Sequence, residues 1–241
     1  MLETATTGAA RENRLIASSV ARLLALAALV AACGAGEKRA AEGDDMDNRT
    51  MQLPSFAAGT TSVGTAIMRR RSVREFADTP LTREQLGSLL FAAQGITDTS
   101  RGYRAAPSAG ATYPLEIYVV SHEGVYRYRP SEHAIQQVSD TDRRRELSEA
   151  CLGQRWVAQA PANLVIVALP ERTTARYKER GERYVHMEAG HAAQNVHLTA
   201  VALGLGSVPV GAFDDSEVVN VVECGDEALP LYVIPVGVPR Q

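Results

Sequence analysis

Cysteine is scarce: Cys33, Cys151 and Cys224 are the only three, and no two of them form a C-x-x-C pair. That excludes a disulfide framework and the usual structural zinc pattern. Aromatic residues make up 5% of the chain, with one tryptophan, so burial must come from aliphatics and alanine. Neither sign of charge dominates: 25 Lys and Arg against 28 Asp and Glu leave a net charge of -3. A pI near 6.0 excludes nucleic-acid binding through bulk charge. G-x-G-x-x-G, the P-loop and H-E-x-x-H are all missing, and no internal repeat occurs. His186, His191 and His197 are spaced at five and six, which keeps them off one helical face, so no metal site is expected. What remains, 45% hydrophobic and 22% charged over 241 residues, is material for one core and one domain.

The N-terminus departs from that composition. Leu23 to Ala32, LLALAALVAA, is an apolar run preceded by Arg11, Arg14 and Arg22 and by no acidic residue after Glu12. It has the length of a signal-peptide core and is too short to span a bilayer. Val30-Ala31-Ala32-Cys33 resembles a bacterial lipobox, which makes Cys33 a candidate lipidation site and residues 1–33 a lipoprotein-type signal. The alternative is translation from Met46 or Met51 and a cytoplasmic protein. No Arg-Arg pair precedes Leu23 to indicate export of a folded chain. Residues 34–60 begin charged and rich in Gly and Ala, and are expected to tether the anchor to a domain over 61–241.

Within the domain the longest helical pattern runs from Tyr184 to Leu203. Ala189, Ala192, Ala193, Val196, Ala200 and Leu203 recur at three and four, while Glu188, His191 and Asn195 form a polar stripe. Small residues along it predict close packing on another helix, within one subunit or across two. Gly204 and Gly206 are expected to stop it in left-handed conformation. Around this helix, the pattern predicts a short helix over 64–71 and a capped helix from Thr82 with Gln85 three residues on, ending at Gly95. A hairpin over 115–128, a third strand over 134–138, a helix through 147–152 and a buried strand over 163–169 follow. A short helix capped by Asp214 or Asp215 and a last strand over 231–238 complete an α+β fold.

Three segments carry chemistry. Arg69 to Arg74 offers guanidinium groups and Ser72 for a phosphate. Pro107 to Gly110 and Val210 to Phe213 are small-residue turns that let backbone approach a planar ligand. Read in order, RRRSVREF, APSAGATYPLEIYVV, GVYRYRPSEHAI, HMEAGHAAQNVHLTAVALGLGSVPVGAF and PLYVIPVGVP resemble the nitroreductase-like FMN oxidoreductases. Within them the chain looks most like SagB-type dehydrogenases, which oxidise azoline rings in peptides.

That resemblance implies a nitroreductase-like α+β homodimer with a mixed or antiparallel sheet, a long buried helix at the subunit interface and FMN held there by both chains. It implies that Arg70, Arg71, Ser72, Arg74 and Arg240 hold the phosphate and ribityl oxygens. Pro107, Ser108, Ala109 and Gly110 then pack on the flavin from the partner, and Val210, Gly211 and Ala212 face its ring. Hydride passes through flavin N5, from a small-molecule or peptide substrate. Lys178 and Tyr184, with Tyr177, are the candidates for moving the proton. An exported enzyme has no NAD(P)H and must pass electrons to a quinone, oxygen or a membrane partner. The competing expectation is a lipoprotein that binds flavin or another ligand without catalysis.

Overall fold

The computed structural model describes residues 49–57 and 59–240. The expected signal segment, Cys33 and most of the expected tether lie outside them. In the unit that starts at Thr50, β1 (Thr50–Gln52) pairs antiparallel with a later strand and forms one edge of the sheet. Just after it, Phe56 stacks on Phe91 with ring centroids 5.1 Å apart. The last residues assigned by composition to a tether are therefore docked on the domain.

Helices α1 (Val63–Arg69) and α2 (Arg83–Gln94) come next. Ser62 caps α1 by accepting the Thr65 N–H, and Thr82 with Gln85 forms the reciprocal capping box on α2. A small ribbon, β2 (Ile96–Asp98) and β3 (Tyr103–Arg104), precedes the central strands β4 (Leu115–Ser121), β5 (Gly124–Arg129) and β6 (Ala134–Ser139). Helices α3 (Arg144–Ala150) and α4 (Arg155–Gln159) lead into β7 (Ala162–Ala168). Then follow α5 (Glu171–Tyr177), α6 (Arg180–Ala202), β8 (Gly206–Ser207), α7 (Asp215–Val222) and β9 (Leu229–Gly237).

Among the described residues, seven strands form one antiparallel sheet in the order β1-β6-β5-β4-β7-β9-β8. Every residue of β7 is buried, so this strand is covered on both faces. Its alternation sorts the two cores. Leu164 and Ile166 join Ile117, Ile234, α2 and α6 on one face, while Val165 and Val167 join Tyr118, Val233, α3 and α7 on the other. Each such aliphatic contributes about 1.5–3 kcal/mol by leaving water.

Of the stripe its spacing predicts, the long helix buries Ala189, Ala192, Ala193, Val196 and Ala200, and Val185 joins them from its first turns; Leu203 falls just past the helix end and is only half-buried. Its small residues pack against α2 of the same chain, where Leu89, Leu90 and Ala93 share their cluster. Gly190, by contrast, has no heavy atom within 4 Å of a built Cβ. Two members of the polar stripe turn inward, Asn195 Nδ2 donating to the Ala92 carbonyl at 3.1 Å and Glu188 being buried, while His191 stays exposed. Gly204 ends the helix region with φ of 73°, as expected. Gly206 does not share that role. It lies in β8, where a Cβ would stand 2.7 Å from the Val73 side chain, so it is needed for close approach.

Candidate functional site

The Arg-rich run leaves α1 and follows the β8 edge of the sheet. Val73 donates its N–H to the Ser207 carbonyl at 3.0 Å, Ala77 to Val238 at 2.8 Å, and Arg240 to Glu75 at 3.0 Å. Ser72 bridges Ser207 and Phe76 bridges Pro239. Two basic segments from opposite ends of the domain are thereby laid side by side. Arg70, Arg71, Arg74 and Arg240 have no carboxylate partner among the described residues, whereas Arg127, Arg143, Arg144 and Arg172 each have one. Arg71 Nη1 is turned back onto the Met68 and Arg70 carbonyls at 2.9 and 2.7 Å.

Arg74 lies over the Trp156 ring, 5.4 Å from its centroid, and nearby Gln154 donates to the Ala212 carbonyl at 3.0 Å. These contacts connect the basic run to the turn after β8. Val210 is fixed there by paired backbone bonds with Val233. Gly211 and Ala212 are exposed, with open space where a Cβ would project from Gly211. Beneath, His197 is buried with Nδ1 2.7 Å from Ser207 Oγ, and its Nε2 has no partner. Burial, aided by the Arg70 charge, pushes its pKa down to about 4, so the ring is neutral at pH 7. A cofactor carrying a phosphate and a planar ring fits this surface: unneutralised guanidinium groups stand beside an open turn with accessible backbone.

The second cluster lies toward the start of α6. In the loop before β4, Gly110, Ala111 and Tyr113 have φ of 60°, 54° and 47°. Left-handed backbone at the two non-glycine positions costs about 1–3 kcal/mol each, so the loop must be held by its surroundings. Tyr113 donates its N–H to Ser108 Oγ at 2.9 Å, Thr112 Oγ1 meets Thr173 Oγ1 at 2.8 Å, and Arg176 Nη1 donates to the Gly110 carbonyl at 3.2 Å. A Cβ at Gly110 would meet Tyr177 Oη at 2.6 Å, so its smallness accommodates α5 of the same chain.

Pro107, Ser108 and Ala109 face Tyr184, Met187 and His191 across an open cleft of about 270 Å³. Tyr184 packs edge-on against Tyr177 at 5.1 Å. Glu188 also lines the cleft, yet it is 2% exposed and its Oε1 lacks a hydrogen-bond partner. Burial raises its pKa to about 7, against the opposing influence of Ser108, Gln94 and the Arg104 charge. Lys178 is exposed and does not line the cleft. It closes α5 at φ of 53°, with Nζ donating to the Ala175 carbonyl at 3.2 Å.

Within one chain the two clusters are separated along α6. Glu188 and His197, one beneath each, are nine positions apart, or roughly 14 Å of helix. The nitroreductase family model matches residues 67–238, a span that takes in both clusters apart from Arg240 and the whole sheet from β4 onward. The chain belongs to the nitroreductase family. Nitroreductase-family proteins are generally FMN-dependent oxidoreductases. A Methanocaldococcus jannaschii protein provisionally named a nitroreductase is 47% identical over 201 residues, covering 81% of this chain and 98% of that protein. The crystal structure of a Ralstonia eutropha protein, also provisionally named a nitroreductase, superposes with a TM-score of 0.73 at 29% identity, covering 80% of this chain and 90% of that one. The microcin B17-processing protein McbC of Escherichia coli is 26% identical over 166 residues, 64% of this chain and 61% of McbC.

Glu188, His197 and Ser207 were not among the residues singled out for chemistry. A signal for Glu188 was present: it stands three positions after Val185 and four before Ala192, in phase with the buried stripe. Ser207 carries no comparable mark, because its importance comes from the strand that pairs with it.

Proposed function

We propose that this nitroreductase-family chain is an FMN-dependent oxidoreductase of SagB type, taking hydride from a small-molecule or peptide substrate. The observation that carries the reading is the juxtaposition of Arg70, Ser72, Arg74 and Arg240 with the open Val210–Gly211–Ala212 turn. Guanidinium groups without carboxylates recognise a phosphate by charge-assisted bonds, and Arg74 is oriented by Trp156. Bound FMN supplies a hydride-accepting centre at N5. The chain's residues do the rest: the cradle binds the phosphate, the turn presents backbone to the ring, and Tyr184 lies in the cleft where a substrate proton has to be handled. Loss of a hydride and a proton leaves an oxidised substrate, and the electron pair passes on to a quinone, oxygen or a membrane partner. The PSAGATYP and EAGHAAQN segments and the similarity to McbC support the peptide-modifying branch.

The reading includes a homodimer with FMN shared between subunits. Its support is the separation of cradle and cleft along α6, and the exposed Val63, Ile67 and Met68 on α1, at 70%, 57% and 78% exposure. Export with a lipid on Cys33 completes the proposal, resting on the LLALAALVAA run and the cysteine that follows it. Palmitate labelling that disappears in Cys33→Ala is expected. Labelling unchanged by that substitution, or none at all, rules out the anchor.

The deciding experiment is a visible spectrum of the full chain with FMN, before and after anaerobic dithionite. Flavin bands that bleach and return in air are expected. A protein that stays colourless after FMN is added overturns the assignment, and a bound flavin that no donor or acceptor turns over reduces it to a binding protein.

A further inference from the structure

Strand β4 pairs with β7 along its full length from Leu115 to Ser121, but with β5 only from Tyr118 onward, where Tyr118 faces Arg127. Below that pair the two strands part while β5 continues to Arg129 beside β6. A parted sheet leaves backbone polar groups that need another partner. Between the strands lies a cavity of about 200 Å³, and its lining is rich in donors.

Gln94 and Arg104 lie deepest. Arg104 Nη1 donates to Gln94 Oε1 at 2.8 Å and its guanidinium lies 4.6 Å from the centre of the Tyr113 ring. Gln94 is fully buried, and with its oxygen so engaged its Nε2 completes no hydrogen bond; the Glu188 carboxyl, outside the cavity lining, is the acid that faces Gln94 and Arg104 from behind. Nearer the surface, Arg127 and Arg172 both donate to Glu116 Oε1, at 2.8 and 2.6 Å. Tyr118 Oη donates to the other Glu116 oxygen at 3.5 Å. Glu116 is thus engaged at both oxygens, and it is the single acid lining the cavity among the described residues, against three arginines. An arginine carries five donors and no acceptor, so the lining has spare N–H groups and an excess of positive charge.

We propose that this cavity is an anion-binding site, separate from the flavin cradle, that takes a compact oxyanion: a phosphate group or a carboxylate. Such a ligand is acceptor-only, matching a lining whose unused groups are donors, and its planar or tetrahedral oxygens fit guanidinium forks. Arg104 and Gln94 meet its inner oxygens, and Arg127 and Arg172 close over the outer ones without releasing Glu116. The site does not depend on whether flavin binds.

The test is calorimetric titration of the full chain, first saturated with FMN so that the cradle's own phosphate affinity is filled, with inorganic phosphate, and separately with malonate, at low ionic strength. Saturable binding of one anion per cavity is expected, weakened about tenfold in Arg127→Gln and in Arg172→Gln by loss of one charged hydrogen-bonding arm. Arg70→Ala, in the cradle, should leave it unchanged. Tighter phosphate points to phosphorylated ligands and tighter malonate to carboxylates. Both arginines are about two-fifths exposed at their side chains, and each substitution leaves the other on Glu116, so folding should survive and circular dichroism checks it. Heats that never saturate, that are the same in both cavity variants as in the parent, or that vanish in Arg70→Ala overturn the site.

Discussion

A carboxyl at position 188 occupies a place where the helix phase calls for an aliphatic, and its titration should register in stability. Glu188 is 2% exposed, and burial raises its pKa from the usual 4.5 to about 7. Below about pH 4.5 it is neutral in folded and unfolded chains alike. Between there and about 7 the unfolded chain releases the proton while the folded one keeps it, so stability falls as pH rises, by up to about 3 kcal/mol. Above 7 that loss is complete. Glu188→Gln keeps the shape and removes the charge, and its Tm should match the parent near pH 4 and exceed it at pH 8. Thermal melts at the two pH values check this; parallel behaviour of both proteins excludes Glu188 as the titrating group. His197 shifts the other way, and its neutral ring leaves the guanidinium groups of Arg70, Arg71, Arg74 and Arg240 as the cradle's positive charge.

Elements with a strong local signal were legible in the sequence, and those made by tertiary pairing were not. The Thr82–Gln85 capping box, the α6 stripe and the unbroken apolar run of β7 are written in composition and spacing, and each appears where it was expected. Helix α5, ERTTARY, has no side-chain cap and buries only Thr173, so nothing in its own pattern marks it; contact with α6 makes it helical. β1 is three residues long and exists by pairing with β6. The convergence of Arg74 with Arg240 was legible only through the family resemblance, since the pairing that produces it links residues far apart in sequence. Gly206 shows the same limit, because its requirement lies in Val73. Gly206→Ala should push the 72–77 segment off β8, cost about 1–3 kcal/mol by overpacking, and weaken FMN binding. A flavin-fluorescence titration with a urea melt checks both effects; an unchanged dissociation constant separates the cradle from the β8 contact.

At the scale of the whole molecule the cradle and the cleft loop raise one question: whether they belong to one site in one chain or to one site shared by two. A single copy keeps them roughly 14 Å apart along α6 and leaves the apolar face of α1 in water. The proposed dimer would place the Pro107–Gly110 loop of one copy against the Val210–Ala212 turn of its partner, twice over. The chain of 25.9 kDa should then behave at twice that mass in light scattering. Two defective variants give the sharper measurement. Arg74→Ala combined with Arg240→Ala removes the cradle, and Ala109→Glu puts a carboxylate into the loop; each alone should bind FMN at least tenfold more weakly. In a mixed pair, one site inherits both defects and the other inherits neither. Co-refolding equal amounts gives half mixed pairs, so about a quarter of all sites should regain parental FMN affinity. A chain whose cradle and loop act within one subunit regains none, because every site then carries the defect of its own chain.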